Sequence, residues 1–179
     1  MLFNRKFILL LVTVVTLIIV LLIMLYPYIK KGELTEKNSV PVYFAKNYGK
    51  NDYKLLSVRR KIYPGDNNLE IAVSELLQGP DENEKKLGYF TEIPVDTKII
   101  KISTDEKQVI INLSKEFQLG GGSASMSLRL EQLIKTALDS VNQKPVYLEL
   151  EGEQVKYIGG EGIMVPQPLS GNVNKSQDI

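Results

Sequence analysis

Residues 119–125, LGGGSAS, are the first in the chain to suggest chemistry: three consecutive glycines followed by small hydroxyl side chains. Bare backbone N–H groups leading into a helix N-terminus make an anion site, and a phosphate-binding loop would lie in just such a place. The residue types do not support that chemistry. A phosphate loop carries Lys and then Ser or Thr directly after its last glycine, whereas Gly122 is followed by Ser123 and Ala124. The three-glycine dinucleotide pattern has wider spacing. Gly120, Gly121 and Gly122 are therefore expected to give the chain slack, with Ser123 or Ser125 capping the helix that follows.

A second candidate is the basic run Arg59, Arg60, Lys61. On a strand, Arg59 and Lys61 share one face and Arg60 points to the other, so only part of the run can act as one patch. It is a candidate interaction patch for phosphate or carboxylate groups of an envelope polymer or partner protein, set against the plainer reading of a solvated strand face. Among the acids, Glu149 and Glu151 share a strand face and Glu116 precedes Phe117. Glycosidic hydrolysis takes two carboxylates across a cleft, which neighbouring positions on a surface strand do not provide. The Ser-x-x-Lys pattern of seryl enzymes occurs nowhere. With no cysteine and no histidine, the chain has no disulfide, thiol nucleophile, lipidated cysteine, histidine relay or ordinary zinc site. The expectation is a protein that is not an enzyme, with no catalytic, cofactor-binding or metal residues.

The elements around these residues can be read from pattern. Residues 40–46 alternate as a strand opening at Val40, with Pro41 marking a strand start or edge. Residues 53–62 form a second strand. A helix follows, capped by Asn67 or Asn68, with Leu69, Ala72, Val73, Leu76 and Leu77 on one face; Gly79 ends it in a left-handed conformation and Pro80 blocks continuation. TKIIKIS and QVIINLS read as a hairpin around TDEK. After the glycine loop, Met126, Leu130, Leu133, Ile134, Ala137, Leu138 and Val141 make the apolar stripe of a second helix. PVYLEL and QVKYI read as a closing hairpin. The order β-β-α-β-β-α-β-β implies an α+β domain, two helices on one face of a largely antiparallel sheet.

Ahead of this domain, residues 7–26 are uncharged and almost wholly apolar, about the length that crosses a bilayer. An uncleaved anchor is expected over 1–31, with a cleaved signal peptide as the competing reading. Basic residues flank both ends, and the short N-terminus sets it inside, leaving the rest extracytoplasmic. Residues 32–39 read as a tether, 40–169 as the domain and 170–179 as a disordered tail. Of 22 basic residues, Arg5 and Lys6 precede the apolar run; the remaining 20 face 21 acidic ones, so nothing in the charge favours nucleic acid as a partner.

The punctuation of the chain resembles a known family. LLQGP at 76–80, EIP at 92–94 shortly before TKIIKI, VIINLSKEF at 109–117, QLIKTALDSV at 132–141 and VYLELEG at 146–152 are similar, in order and spacing, to the GerMN domain of sporulation and spore germination proteins. The resemblance implies one copy of a non-enzymatic α+β domain, like the ring-building modules of envelope complexes, displayed outside the membrane. It implies envelope or sporulation-complex proteins as partners, possible self-association, and direct peptidoglycan binding or wall maintenance as the alternative. The motif positions Leu76, Leu77, Gly79, Pro80, Ile93, Pro94 and Phe117 carry structural roles by the same resemblance. Many members are lipoproteins or carry two copies; here the apolar helix would replace the lipid.

Overall fold

The computed structural model describes residues 5–30, 35, 37–49, 52–141 and 144–170, with backbone alone for 5–6 and 26–30. The chain divides into two units, Met1–Thr35 and Glu36–Ile179. Half of the expected tether (32–34 and 36) and all of the tail beyond residue 170 lie outside the described residues.

The first unit is one helix, α1 (Arg5–Lys30). Its stretch Phe7–Leu25 has a mean hydropathy of 3.4 and no buried residue, which suits a span by length and composition. The hydroxyls of Thr13 and Thr16 donate to the carbonyls of Leu10 and Thr13, so neither is left without a partner on an apolar surface. The helix runs four residues beyond the expected limit, through Pro27, a residue that spanning helices tolerate.

The second unit is an α+β domain. Strands β1 (Ser39–Gly49) and β2 (Asp52–Lys61) form a long antiparallel hairpin, with Val42 opposite Val58 and Phe44 opposite Leu56. Asn67 accepts from the Glu70 N–H and so caps helix α2 (Asn68–Gln78). Gly79 ends α2 at φ 81°, ψ −177°: the positive φ was expected, but the ψ is extended rather than left-handed helical, a region open essentially to glycine alone. Asp81 then opens a short α3 (Glu82–Lys86) through a reciprocal capping box with Glu84. Strand β3 (Tyr89–Phe90) returns to pair with Ala45 and Lys46.

Strands β4 (Ile99–Thr104) and β5 (Val109–Leu113) make the expected second hairpin. A 3-10 turn (Lys115–Gln118) leads through the glycines to α4 (Ser123–Leu138). The chain then returns as β6 (Val146–Leu150), parallel to β5, because a helix lies between the two and carries the chain back to the same end. Only β7 (Glu153–Gln154) completes the closing hairpin. Tyr157–Ile158, expected within that strand, are β8 and pair with β9 (Ile163–Met164) instead.

The expected single sheet thus divides into β2-β1-β3, β4-β5-β6-β7 and β8-β9. The division has a visible cause. Along its free edge, β1 meets α4 rather than another strand: the Tyr43 N–H donates to Thr136 Oγ1 at 3.0 Å, and Gln132 Nε2 donates to the Tyr43 carbonyl at 3.2 Å. Pro41 lies on the stretch of β1 that β3 does not reach, in keeping with the edge expected for it. α2 and α4 share one core with the sheets, including Val42, Phe44, Leu76, Ile111, Phe117, Leu130 and Leu148.

Candidate interaction site

The basic run is split by the strand, as its alternation requires. Arg60 turns into the domain, where Nε donates to Glu75 at 2.8 Å and the two terminal nitrogens form a fork on Glu84 at 2.6 and 2.7 Å. It also lies over the Phe44 ring. Both partners of the Arg60–Glu84 pair are largely shielded from solvent. The bond from Arg60 holds the Glu84 carboxyl below its usual range, and Glu84 in turn raises Arg60. Arg60 therefore ties β2 to α2 and α3. Arg59 lines a polar cleft of about 440 Å³ with Ser39, Asn68, Asp139 and Ser140. Lys61 is exposed and sits over the Tyr63 ring. Tyr43 donates to Asp139 at 2.5 Å, and this bond raises the phenol above its ordinary value.

The glycine loop encloses a cation that belongs to the chain itself. Arg129, 3% exposed, reaches back from α4. One terminal nitrogen donates to the carbonyls of Phe117 and Leu119, and the other to the Gly120 carbonyl, each at 2.9 Å. Gly120 and Gly121 adopt φ of +67° and +77°, which turn these carbonyls inward. A Cβ at Gly121 would stand 2.6 Å from Ser125 Oγ and 2.8 Å from Arg129 Nη2, so that glycine is required by space as well as by φ. The loop is thus a fitted collar, with little of the slack expected from the sequence.

The expected serine cap is also corrected. Gly122 is the N-cap of α4 and no side chain caps the helix. Ser123 lies within its first turn. Ser125 Oγ donates to Glu92 at 2.7 Å and accepts from Arg129 at 3.1 Å, pulled away from the helix end by these stronger partners. Burial lowers the Arg129 pKa and Glu92 opposes that shift, yet a guanidinium remains a cation.

Ser125, Arg129, Gln132 and Thr136 lie at helical spacing, a polar stripe beside the apolar one. Ser125 links the Arg129 and Glu92 side chains, and the other three each hold a different piece of backbone. Gln132 Oε1 accepts from Thr91 Oγ1 and from the Glu92 N–H, while its amide reaches β1. The sequence reading missed this stripe because it followed apolar residues only. An arginine between Met126 and Leu133, directly after a glycine loop, was the available signal.

The other motif positions serve the packing. Leu76, Ile93 and Phe117 are in the core, Leu77 and Pro94 are half-buried, and Pro80 is buried between α2 and α3. The acids considered for hydrolysis do not converge: Glu151 accepts the Lys115 N–H, and Glu116 is bonded by Ser114, which holds its carboxyl low.

One larger cleft opens between the end of the β1–β2 hairpin and the start of α4. It measures about 600 Å³ and is lined by Asn47, Asp52, Tyr53, Phe90, Glu92, Ser125 and Leu128, with backbone at Gly49 and Gly122. Asn47 stands opposite Tyr53 in the ladder, and Phe90 stands opposite Ala45. The Tyr53 and Phe90 rings meet edge to face at 6.1 Å.

Comparison with known proteins gives a consistent picture. A family model described as Germane, sporulation and spore germination, matches residues 41–156. The solved tandem GerMN domains of the sporulation protein GerM from Bacillus subtilis superpose with a TM-score of 0.59 at 17% identity, covering 79% of this chain and 49% of that one. The first GerMN domain of the same protein, solved separately, gives a TM-score of 0.57 at 17% identity, covering 74% of this chain and 96% of that one. The chain thus spans about half the length of the tandem structure and nearly all of the single domain. No curated protein matches.

Proposed function

The chain belongs to the Germane family of sporulation and spore germination domains, and from that premise we propose that it is a membrane-anchored, non-enzymatic interaction module of the cell envelope. In this reading α1 holds the chain in the membrane as a single span. The domain lies on the extracytoplasmic side and acts as a scaffold for envelope or sporulation-complex proteins, or for further copies of itself.

The observation that carries the reading is how the strong polar groups are used. Arg60, Glu84, Arg129, Gln132 and Thr136 are engaged with the chain's own backbone and with each other. They rigidify a surface rather than pair a nucleophile with a base. In-cell cross-linking of the full chain tests it: one or more specific envelope proteins captured on the domain side support the scaffold, and release of muropeptide fragments from cell wall by the purified chain would refute it.

Direct binding of peptidoglycan is the second reading, favoured by Arg59 at a polar cleft with Lys61 two residues along the same face. Retention of the chain on purified cell wall, abolished by Arg59→Glu with Lys61→Glu, would support it. No retention would leave the scaffold reading alone.

A further inference from the structure

The cleft beside the glycine loop has the properties of a small-ligand site, and we propose that it binds a neutral saccharide through Phe90, Tyr53, Glu92, Asp52 and Asn47. The inference goes beyond the scaffold reading and does not depend on it.

Size comes first. About 600 Å³ falls within the range of pockets that hold small molecules, which combine apolar and aromatic walls with a few placed polar groups. Here Leu128 and two aromatic rings provide the apolar wall. The rings meet at 81°, so they stand as a mutually packed aromatic pair at the cleft. The C–H face of a pyranose is apolar and packs on such a ring, while its rim carries hydroxyls in all directions.

The polar groups match that rim. Glu92 and Asp52 accept; the Asn47 amide and the Tyr53 hydroxyl donate. Asn47 Oδ1 already accepts from the Gly49 N–H, which turns its NH₂ into the donor on offer. Glu92 is held in place by Ser125, itself held by Arg129, so this acceptor is positioned before any ligand arrives. Phe90 is held by the β1 ladder. Preorganisation of this kind lowers the entropy lost on binding.

Charge decides between ligand classes. The lining holds two carboxylates and no lysine or arginine, which taken alone would suit a cation. Arg129 stands directly behind Ser125, however, and its charge acts on Glu92. That buried cation offsets part of the negative charge, and the alternation of donors and acceptors beside the two rings suits a polyhydroxylated ligand.

The test titrates the full chain in dodecylphosphocholine micelles, which carry no sugar headgroup, with chitotetraose and separately with maltotetraose, followed by amide NMR. At least one saccharide should shift the amides of Asn47, Tyr53, Phe90, Glu92 and Gly122 saturably. Phe90→Ala should weaken that binding about tenfold, and Glu92→Gln, which keeps the shape and an acceptor oxygen, about threefold or more. Lys101→Ala, exposed on β4 and outside the cleft, should leave it unchanged. The proposal is overturned if neither saccharide shifts these residues at about 20 mM, roughly twentyfold above the weak end, about 1 mM, of ordinary enzyme–substrate affinities. It is equally overturned if binding survives Phe90→Ala and Glu92→Gln undiminished, or if a lysine peptide saturates the cleft where the saccharides do not.

Discussion

Consider one substitution at each of the three consecutive glycines. At Gly121 an alanine meets two separate obstacles: a φ of +77° and a Cβ 2.6 Å from Ser125 Oγ and 2.8 Å from Arg129 Nη2. The backbone strain costs roughly 1–2 kcal/mol. Relieving the contact means moving the guanidinium, and losing one of its bonds to carbonyl oxygen costs roughly 1.5–3 kcal/mol. Gly121→Ala should therefore destabilise the domain by about 2.5–5 kcal/mol. Gly120 has φ +67° and nothing within 4 Å, so Gly120→Ala carries the strain alone, about 1–2 kcal/mol. Gly122 has a negative φ of −103° and open space around it. Gly122→Ser supplies the missing cap and should be neutral or stabilising by about 0.5 kcal/mol. Urea unfolding of the full chain in micelles, followed by far-UV circular dichroism, reads all three. A double substitution sharpens the test: Gly121→Ala combined with Arg129→Met should cost less than the sum of the two, since both remove the same contacts. Equal effects at the three glycines, or strict additivity of the pair, would refute the collar and restore a loop that merely lends slack.

The remaining expectations are simpler. Arg129→Met should destabilise by roughly 2–4 kcal/mol, because the carbonyls of Phe117, Leu119 and Gly120 lose a shared donor; chemical denaturation measures it. Thr136→Val conserves shape but leaves the part-buried Tyr43 N–H without this acceptor, and should cost about 1–3 kcal/mol with amide exchange at Tyr43 accelerated. Glu84 is held below its ordinary value of 4.5 by Arg60, so its folded form binds a proton less readily than its unfolded form. The stability it contributes is present above about pH 4.5 and is lost as pH falls through the lower folded value; Arg60→Met should flatten that part of an acid unfolding curve. Leu76→Ala, at a fully buried motif position, should cost about 2–5 kcal/mol by thermal or urea unfolding.

Much of the fold was legible because it rests on local rules. The Asn67 cap, the break at Gly79-Pro80, the 99–113 hairpin and the stripe from Met126 to Ala137 follow from spacing and from the conformational habits of single residues. Parallel pairing of β5 with β6 was less legible, since two strands separated by a helix can return in either direction as far as periodicity is concerned. The split between two main sheets was hidden for a different reason. It depends on Gln132 and Thr136, polar residues that look solvent-facing in sequence and become buried only because the edge of β1 offers them backbone partners.

The candidate sites divide in the same way. Alternation alone separated Arg60 from Arg59 and Lys61, but the acids that engage Arg60 lie 15 and 24 residues further along the chain. The cleft joins a hairpin end to a helix start, and its Glu92 meets Ser125 across 33 residues of chain, so no local pattern marks such a meeting. The sequence by itself determined the apolar helix, the α+β class, the family's motif order and the exclusion of histidine and cysteine chemistry, because each follows from residue type and near-neighbour spacing. Tertiary structure decided what the glycine loop surrounds. Its three glycines permit many shapes, and only the approach of Arg129 from the following helix selects the one in which three carbonyls close on a buried guanidinium.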